Sequence, residues 1–394
     1  MKNNKQIRER SILLLRWCLA AILLAGHAAA YAQNSHERAL SAQEARQWAA
    51  QLAEAWKDSL RTAYAETLAT QQLQIDTLTM PLHWELIGSE PADGRSLFIS
   101  LHGGGGAPKA VNDSQWKNQW RLYHPANSVY LCPRAPVDAW NMHFLAGIDE
   151  FYRRIIQMAV ACFNVNPNKV YLMGYSAGGD GVWRLAPRMA DSWAAASMMA
   201  GHPGDVSLLN LRNTPFMIWC GEQDAAYDRN KRCQERINEM DSLHRADTEG
   251  YVFEGHIVKG KGHWMDLEDA AAVEWMASHK RNPYPTKIVW RQEEELHQHF
   301  YWLSAPKEEM ARGKEVRVAL RGNVISIERC DYQKLTICLN DEMVNLDKPV
   351  KVVCQGRTLF KGKAKRHAAT LRHTLSERGD PAYMFPAQLT VRMR

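Results

Sequence analysis

Lys169-Val170-Tyr171-Leu172-Met173 runs straight into Gly174-Tyr175-Ser176-Ala177-Gly178-Gly179, and a small-residue helical pattern follows as far as Met189. An apolar strand, a glycine-flanked serine and a helix, in that order, predict a strand-to-helix turn with Ser176 at its tip. Glycine suits the flanks because side chains there would collide with neighbouring backbone, and strain in the turn lifts the hydroxyl clear of the sheet. Ser176 is the candidate nucleophile.

The same kind of pattern extends on both sides. Upstream, Ser96-Leu97-Phe98-Ile99-Ser100-Leu101 reads as a buried strand and leads into His102-Gly103-Gly104-Gly105-Gly106. A glycine run suits a loop whose N–H groups must face a developing negative charge with no side chain in the way. Further strands are expected at 76–80, 82–88, 128–132, 194–200, 215–220 and 251–258, and helices at 147–163, 178–189, 228–244 and 266–279. That alternation predicts an α/β fold with a mostly parallel sheet flanked by helices. From 36 to 73, alanine, leucine and tryptophan recur at helical spacing, and Trp48 and Trp56 share a face suited to packing.

Arg281-Asn282-Pro283-Tyr284-Pro285 breaks the pattern and marks a domain boundary. Beyond it, short strands are expected at 287–290, 300–303, 316–320, 324–328, 335–339, 350–354 and 389–392, with one helix near 368–377. These predict a small β-sandwich of about 100 residues, Ig-like in character. The expected organisation is a signal peptide over 1–32, a helical segment over 33–75, an α/β catalytic domain over 76–282 and a β-rich domain over 286–394.

At 394 residues, 46% hydrophobic and 23% charged, the chain is long enough for two domains. Lys2, Lys5, Arg8, Arg10 and Arg16, an apolar stretch from Trp17 to Ala30 and then Ala30-Tyr31-Ala32 resemble a cleavable secretory leader, so the expected destination is the periplasm or the medium. The stretch is short of the roughly 20 apolar residues that a membrane span needs, and no stable membrane anchor is expected. Without residues 1–32 the formal charge of +6 falls to about +2, which removes the electrostatic argument for nucleic acid. The seven cysteines beyond residue 32 are an odd number with no CxxC spacing, and most are expected to be free; a bridge among Cys330, Cys338 and Cys354 stays open.

A serine hydroxyl is a weak nucleophile near neutral pH; it needs a histidine base, and the base needs a carboxylate to hold its tautomer. His263, in Lys261-Gly262-His263-Trp264, follows the last strand of the α/β part; His202, His244 and His256 are the rivals. The strand 215–220 ends in Gly221-Glu222-Gln223-Asp224, which puts Asp224 on a short loop at the sheet's carboxyl edge. Asp228, whose other role would be to cap the next helix, and Glu222 are its alternatives.

From about Ser96 to Met276 the chain resembles the α/β-hydrolase superfamily, in the neighbourhood of secreted esterases such as feruloyl esterases, polyhydroxybutyrate depolymerases and dienelactone hydrolase-like proteins. Prolyl oligopeptidase-type catalytic domains are similar too. The resemblance implies that Ser176 attacks a carbonyl, His263 moves the proton and Asp224 orients His263. The N–H of Ala177 and one from Gly103 or Gly104 would bind the oxyanion, and water would resolve an acyl-enzyme. Dienelactone hydrolases generally carry cysteine where this chain has Ser176, and there is no room for the propeller of prolyl oligopeptidases.

Trp116, Trp120 and Tyr123 after the glycine run, and Trp140 and His202 after later strands, are candidates for lining the site. His297-Gln298-His299 lacks further ligands at metal-binding spacing, so neither metal nor cofactor is expected. The expected partner is a small-molecule or polysaccharide-linked ester. A serine peptidase or amidase, and a binding protein that lost turnover, remain alternatives. The C-terminal domain is a candidate for dimerisation or surface attachment.

Overall fold

Alternation along the strands sorts their side chains onto two faces, and each face finds its own helices. In the computed structural model, which describes residues 38–393, Leu97, Ile99 and Leu101 pack in one core while Phe98 packs in another. The expected leader over 1–32 lies outside the described residues. No described helix is long and apolar enough to cross a membrane.

The main sheet contains β1 (Gln72–Ile75), β2 (Leu78–Ile87), β3 (Arg95–Leu101) and β4 (Ser128–Pro133). It continues with β5 (Val165–Tyr175), β6 (Ala195–Met199), β7 (Phe216–Gly221) and β8 (Phe253–Val258). The eight strands lie in the order β1-β2-β4-β3-β5-β6-β7-β8, parallel from β4 onward. β1 pairs antiparallel with β2, and β2 with β4. Before the sheet come α1 (Ala42–Ala63) and α2 (Ala65–Thr70); α3 (Lys109–Gln119) follows the glycine run. α4 (Asp149–Cys162), α5 (Ala177–Arg188), α6 (Arg229–Ala246) and α7 (Ala271–Ala277) complete the layers. The core of α4, α5 and α6 covers one face; α3 and α7 cover the other.

Three expectations are corrected here. The segments 76–80 and 82–88 form one strand, β2, because Pro81 falls where its pairing passes from β1 to β4 and no ladder is broken. β1 lies within the stretch expected to be helical up to residue 75, and the helices stop at Thr70. The expected helix over 266–279 is only α7 with a 3₁₀ turn, Glu268–Ala270, before it.

Beyond residue 286 the chain forms β9 (Lys287–Arg291), β10 (His299–Phe300), β11 (Leu303–Ser304), β12 (Glu315–Arg321), β13 (Val324–Cys330), β14 (Lys334–Leu339), β15 (Val350–Cys354), β16 (Arg357–Gly362), α8 (Ala368–Arg378) and β17 (Ala387–Arg392). One sheet has the order β10-β11-β14-β17 and the other β16-β15-β13-β12-β9, with β13 and β15 parallel. They share a core that includes Trp290, Trp302, Ile337 and Val352. The apolar run 300–303 is a tight hairpin rather than a strand. Tyr301 takes a left-handed φ of 52°, and Tyr301 and Trp302 at its tip are buried, which hides the turn from a hydrophobicity reading. All seven described cysteines are free, including Cys330, Cys338 and Cys354.

The β-rich part is joined to the main sheet through buried charge. Arg378 on α8 pairs with Asp191, Arg281 with Asp380 at 2.8 Å, and Arg188 with Asp149, whose second oxygen meets His297 at 2.9 Å. α1 braces the join. It begins with a capping box, in which the Glu44 N–H donates to Ser41 Oγ at 3.2 Å and the Ser41 N–H to Glu44 Oε2 at 2.8 Å. Its Trp48 and Trp56 pack against Leu371 and Leu375 of α8.

Candidate active site

Ser176 sits between β5 and α5 at φ 59° and ψ −121°, a strained conformation for a residue with a side chain. Its N–H donates to the Met199 carbonyl at 2.9 Å, which ties the turn to β6. A Cβ at Gly178 would fall against the Leu101 carbonyl of β3, so only glycine lets α5 approach the sheet this closely.

Three side chains far apart in sequence meet at this turn. His263 Nε2 lies 2.9 Å from Ser176 Oγ, and His263 Nδ1 lies 2.7 Å from Asp224 Oδ2. Asp224 follows β7 and His263 follows β8, neighbouring parallel strands whose loops are bonded together. The Gln223 N–H donates to the Lys261 carbonyl at 2.8 Å, and the Glu222 N–H to the Val258 carbonyl at 2.9 Å. Glu222 turns away and accepts from the Gly260 N–H at 2.9 Å. Asp228 neither reaches the site nor caps α6; it is exposed at φ 55° and pairs with Lys231. His244 bonds the Gly250 carbonyl, and His256 stacks on Trp219.

Burial works to raise the Asp224 carboxyl, but the His263 hydrogen bond and charge, together with the Arg229 guanidinium, hold it below the usual carboxylate range. Asp224 is thus an anion placed to fix the proton of His263 on Nδ1 and leave Nε2 as acceptor for the Ser176 hydroxyl.

The glycine run lies beside the serine. A Cβ on Gly103 would come within 3.4 Å of Ser176 Cβ, and one on Gly104, at φ 115°, would overlap Asn112. Among the described residues the N–H groups of Gly103, Gly104 and Ala177 have no backbone acceptor outside helices and strands.

Two kinds of support hold this run, and neither was visible in sequence. The first is Asn112 of α3. Its Nδ2 donates to the Gly105 carbonyl at 3.0 Å and to Asp138 Oδ1 at 2.8 Å, and its Oδ1 accepts from the Gly105 N–H at 3.0 Å. Asn112→Ala is expected to lower kcat roughly ten- to a hundredfold with a smaller change in KM, measurable on any hydrolysed ester.

The second is a pair of buried histidines. The Ala135 N–H donates to His102 Nε2 at 3.1 Å, so His102 carries its proton on Nδ1, which donates to the Gly103 carbonyl at 2.6 Å. His143 Nε2 donates to the His102 carbonyl at 2.8 Å, and burial pushes this ring down to about 4. A buried neutral histidine costs stability wherever the unfolded chain binds the proton more readily. The His143 contribution is therefore complete above pH 6.5 and lost as pH falls toward 4, by at most about 3 kcal/mol. Urea unfolding at pH 7 and pH 4.5, compared with His143→Gln, reads it; an equal pH dependence in both proteins would contradict it.

Tyr175, immediately before the serine, was also missed. Its hydroxyl donates to the His263 carbonyl at 2.7 Å and accepts from the Met265 N–H at 3.1 Å, fixing the loop that carries His263.

A cleft of about 680 Å³ opens over Ser176, lined on one side by Val111, Gln115, Asn118 and Arg121 and on the other by Tyr175, His263 and Trp264. Trp140 and His202 do not line it. Trp140 is 67% exposed and meets Phe144 edge-on, while the His202 N–H is tied to Asp180 Oδ1 at 2.6 Å on α5. Trp116, Trp120 and Tyr123 pack the sheet: Trp116 Nε1 donates to the Cys132 carbonyl at 2.8 Å, Trp120 stacks on His83, and Tyr123 bonds Asp269. His297 and His299 are engaged with Asp149 and Glu377.

An eight-stranded sheet in this order, with a serine on a strained turn after β5 and an acid and a histidine on the loops after β7 and β8, is the α/β-hydrolase fold. Among solved structures the chain is similar to a thermostable esterase at 18% identity, over 54% of this chain and 63% of that one, with a TM-score of 0.40. It is also similar to an acetyl xylan esterase from Aspergillus awamori, at 13% identity over 52% of this chain and 98% of that one, TM-score 0.37. A third is a fluorophosphonate-binding serine hydrolase of Staphylococcus aureus, at 14% identity over 52% and 96%, TM-score 0.35. The matched stretch thus spans less than two thirds of the thermostable esterase. No protein-family model and no curated protein matches the chain.

Proposed function

We propose that the protein is a serine hydrolase that cleaves carboxylic esters through an acyl-enzyme. The observation that carries this reading is the continuous series from Ser176 Oγ through His263 to Asp224, at 2.9 and 2.7 Å, at the floor of an open cleft. Ser176 Oγ attacks the ester carbonyl carbon and its proton passes to His263 Nε2. The charge on the carbonyl oxygen is met by the N–H groups of Ala177 and of Gly103 or Gly104. As the intermediate collapses, the alcohol leaves with the proton from Nε2. Water then attacks the acyl carbon and gives its proton to Nε2; as the second intermediate collapses, Nε2 passes that proton to Ser176 Oγ, and the acid and the free serine are released.

The cleft lining supports an ester with an apolar body and hydrogen-bonding groups. Val111, Leu122 and Trp264 offer the first surface, Gln115, Asn118 and Gln119 the second, and no carboxylate is among the described lining residues. Small-molecule and polysaccharide-linked esters both meet that description. The basic, apolar and small-residue order of residues 1–32 supports export. A p-nitrophenyl ester series run beside aminoacyl amides tests the reading. Turnover of the esters with amides at least a hundredfold slower is expected, and the reverse order would make the protein a peptidase or amidase.

A further inference from the structure

The Asp224 carboxylate has two hydrogen-bonding side-chain partners, and one of them is not the histidine. His263 takes Oδ2, and Arg229 Nη1 takes Oδ1 at 2.8 Å. The Asp224 side chain is 2% exposed and, among the described residues, no backbone N–H is bonded to its carboxylate; its second oxygen is held by Arg229. The same Nη1 stands 3.3 Å from His263 Nδ1. With the proton of His263 on Nδ1, two donors face each other across one carboxylate. The backbone is bent to bring this about: Tyr227 and Asp228, consecutive residues with side chains, both adopt left-handed φ angles of 59° and 55° in the turn that delivers Arg229 to the start of α6. The guanidinium is further confined over the Tyr227 ring at 5.3 Å.

We propose that Arg229 is a positioning residue of this site, whose guanidinium clamps the free oxygen of Asp224 and opposes the positive charge that His263 acquires when it takes the proton of Ser176. The inference rests on the serine-hydrolase reading above. Arg229 keeps the carboxylate in line with the imidazole, and its positive charge lies 3.3 Å from the Nδ1 side of the ring.

The other charged or titratable groups about His263 are Tyr175 and Asp180 on either side of Ser176, Lys261 paired with Asp266 on its own loop, and Arg121 across the cleft. Asp180 matters most among them, because burial pushes it up to about 6 and its titration overlaps that of a histidine.

The test is the pH dependence of the rate at which a small fluorophosphonate labels the protein, which needs no knowledge of the natural substrate. In Arg229→Gln the acid limb of the labelling rate is expected to move up by about one pH unit, and the plateau to fall roughly tenfold as Asp224 loosens. In Arg229→Lys, which keeps the charge and loses the fork, the limb returns toward wild type while the plateau stays low. Both results must persist in an Asp180→Asn background. A limb that does not move in Arg229→Gln, whatever the plateau or melting temperature does, overturns the proposal. So does a shift that disappears with Asp180→Asn. If Arg229→Gln fails to fold, a displaced limb in Arg229→Lys overturns it. Wild-type protein that is not labelled at any pH would instead sink the serine-hydrolase reading itself.

Discussion

His263→Ala is expected to lower kcat on an ester substrate on the order of ten-thousand-fold or more while leaving the melting temperature near that of the wild type. The size follows from the geometry. Among the described residues Ser176 Oγ has one side-chain base in hydrogen-bond contact, His263 Nε2 at 2.9 Å, and in the proposed reaction that ring also returns the proton to the leaving alcohol. Without it the hydroxyl stays protonated at neutral pH and both half-reactions lose their proton carrier. The residual rate would come from substrate binding and the N–H groups around Gly103 and Ala177. Stability should change little, because the His263 side chain is 44% exposed and the Tyr175 bond to its loop goes to the backbone carbonyl, which alanine keeps. Steady-state kinetics on a p-nitrophenyl ester with a parallel thermal melt decide it. A loss of less than about a hundredfold would mean that another group serves as the base.

The second large effect concerns the join rather than the site. Arg378→Ala is expected to destabilise the protein by about 3–5 kcal/mol, since it leaves the Asp191 carboxylate buried without its guanidinium. Burial works to raise Asp191, and Arg378 is the strongest influence holding it below the usual carboxylate range. The Tyr301 N–H, at 3.2 Å, and the more distant charges of His297 and Arg281 are too little to hold the buried anion. The Asp191→Asn, Arg378→Met double variant should recover much of the loss, because it removes both charges together. Guanidinium unfolding of the three proteins measures this. A single variant within about 1 kcal/mol of wild type would show that water replaces the lost partner.

The parts that the sequence made legible are those in which one residue type had to sit at one place. Gly174 and Gly178 around Ser176 report a turn packed against β3, and Gly221 reports the close approach of the loop carrying His263, so the candidate serine, acid and histidine could be named before any contact was known. Continuous apolar runs made the central strands legible, because these strands are buried on both faces. The supporting residues were not legible. Asn112, Tyr175 and Arg229 act through hydrogen bonds to groups that only the folded loops bring within reach, and nothing in their neighbours marks them. Trp140 and His202 illustrate the converse: a position at the carboxyl edge of the sheet does not fix which way the cleft opens, and this one opens between α3 and the His263 loop. The hairpin at Tyr301 was hidden because its tip is buried, which a hydrophobicity pattern reads as strand.

The central claim is that Ser176 is an activated nucleophile, and intact-mass analysis of the protein after exposure to a fluorophosphonate tests it most directly. The account predicts one adduct per chain on the wild type and none on Ser176→Ala. An unmodified wild type, or an adduct that survives the substitution, would contradict it.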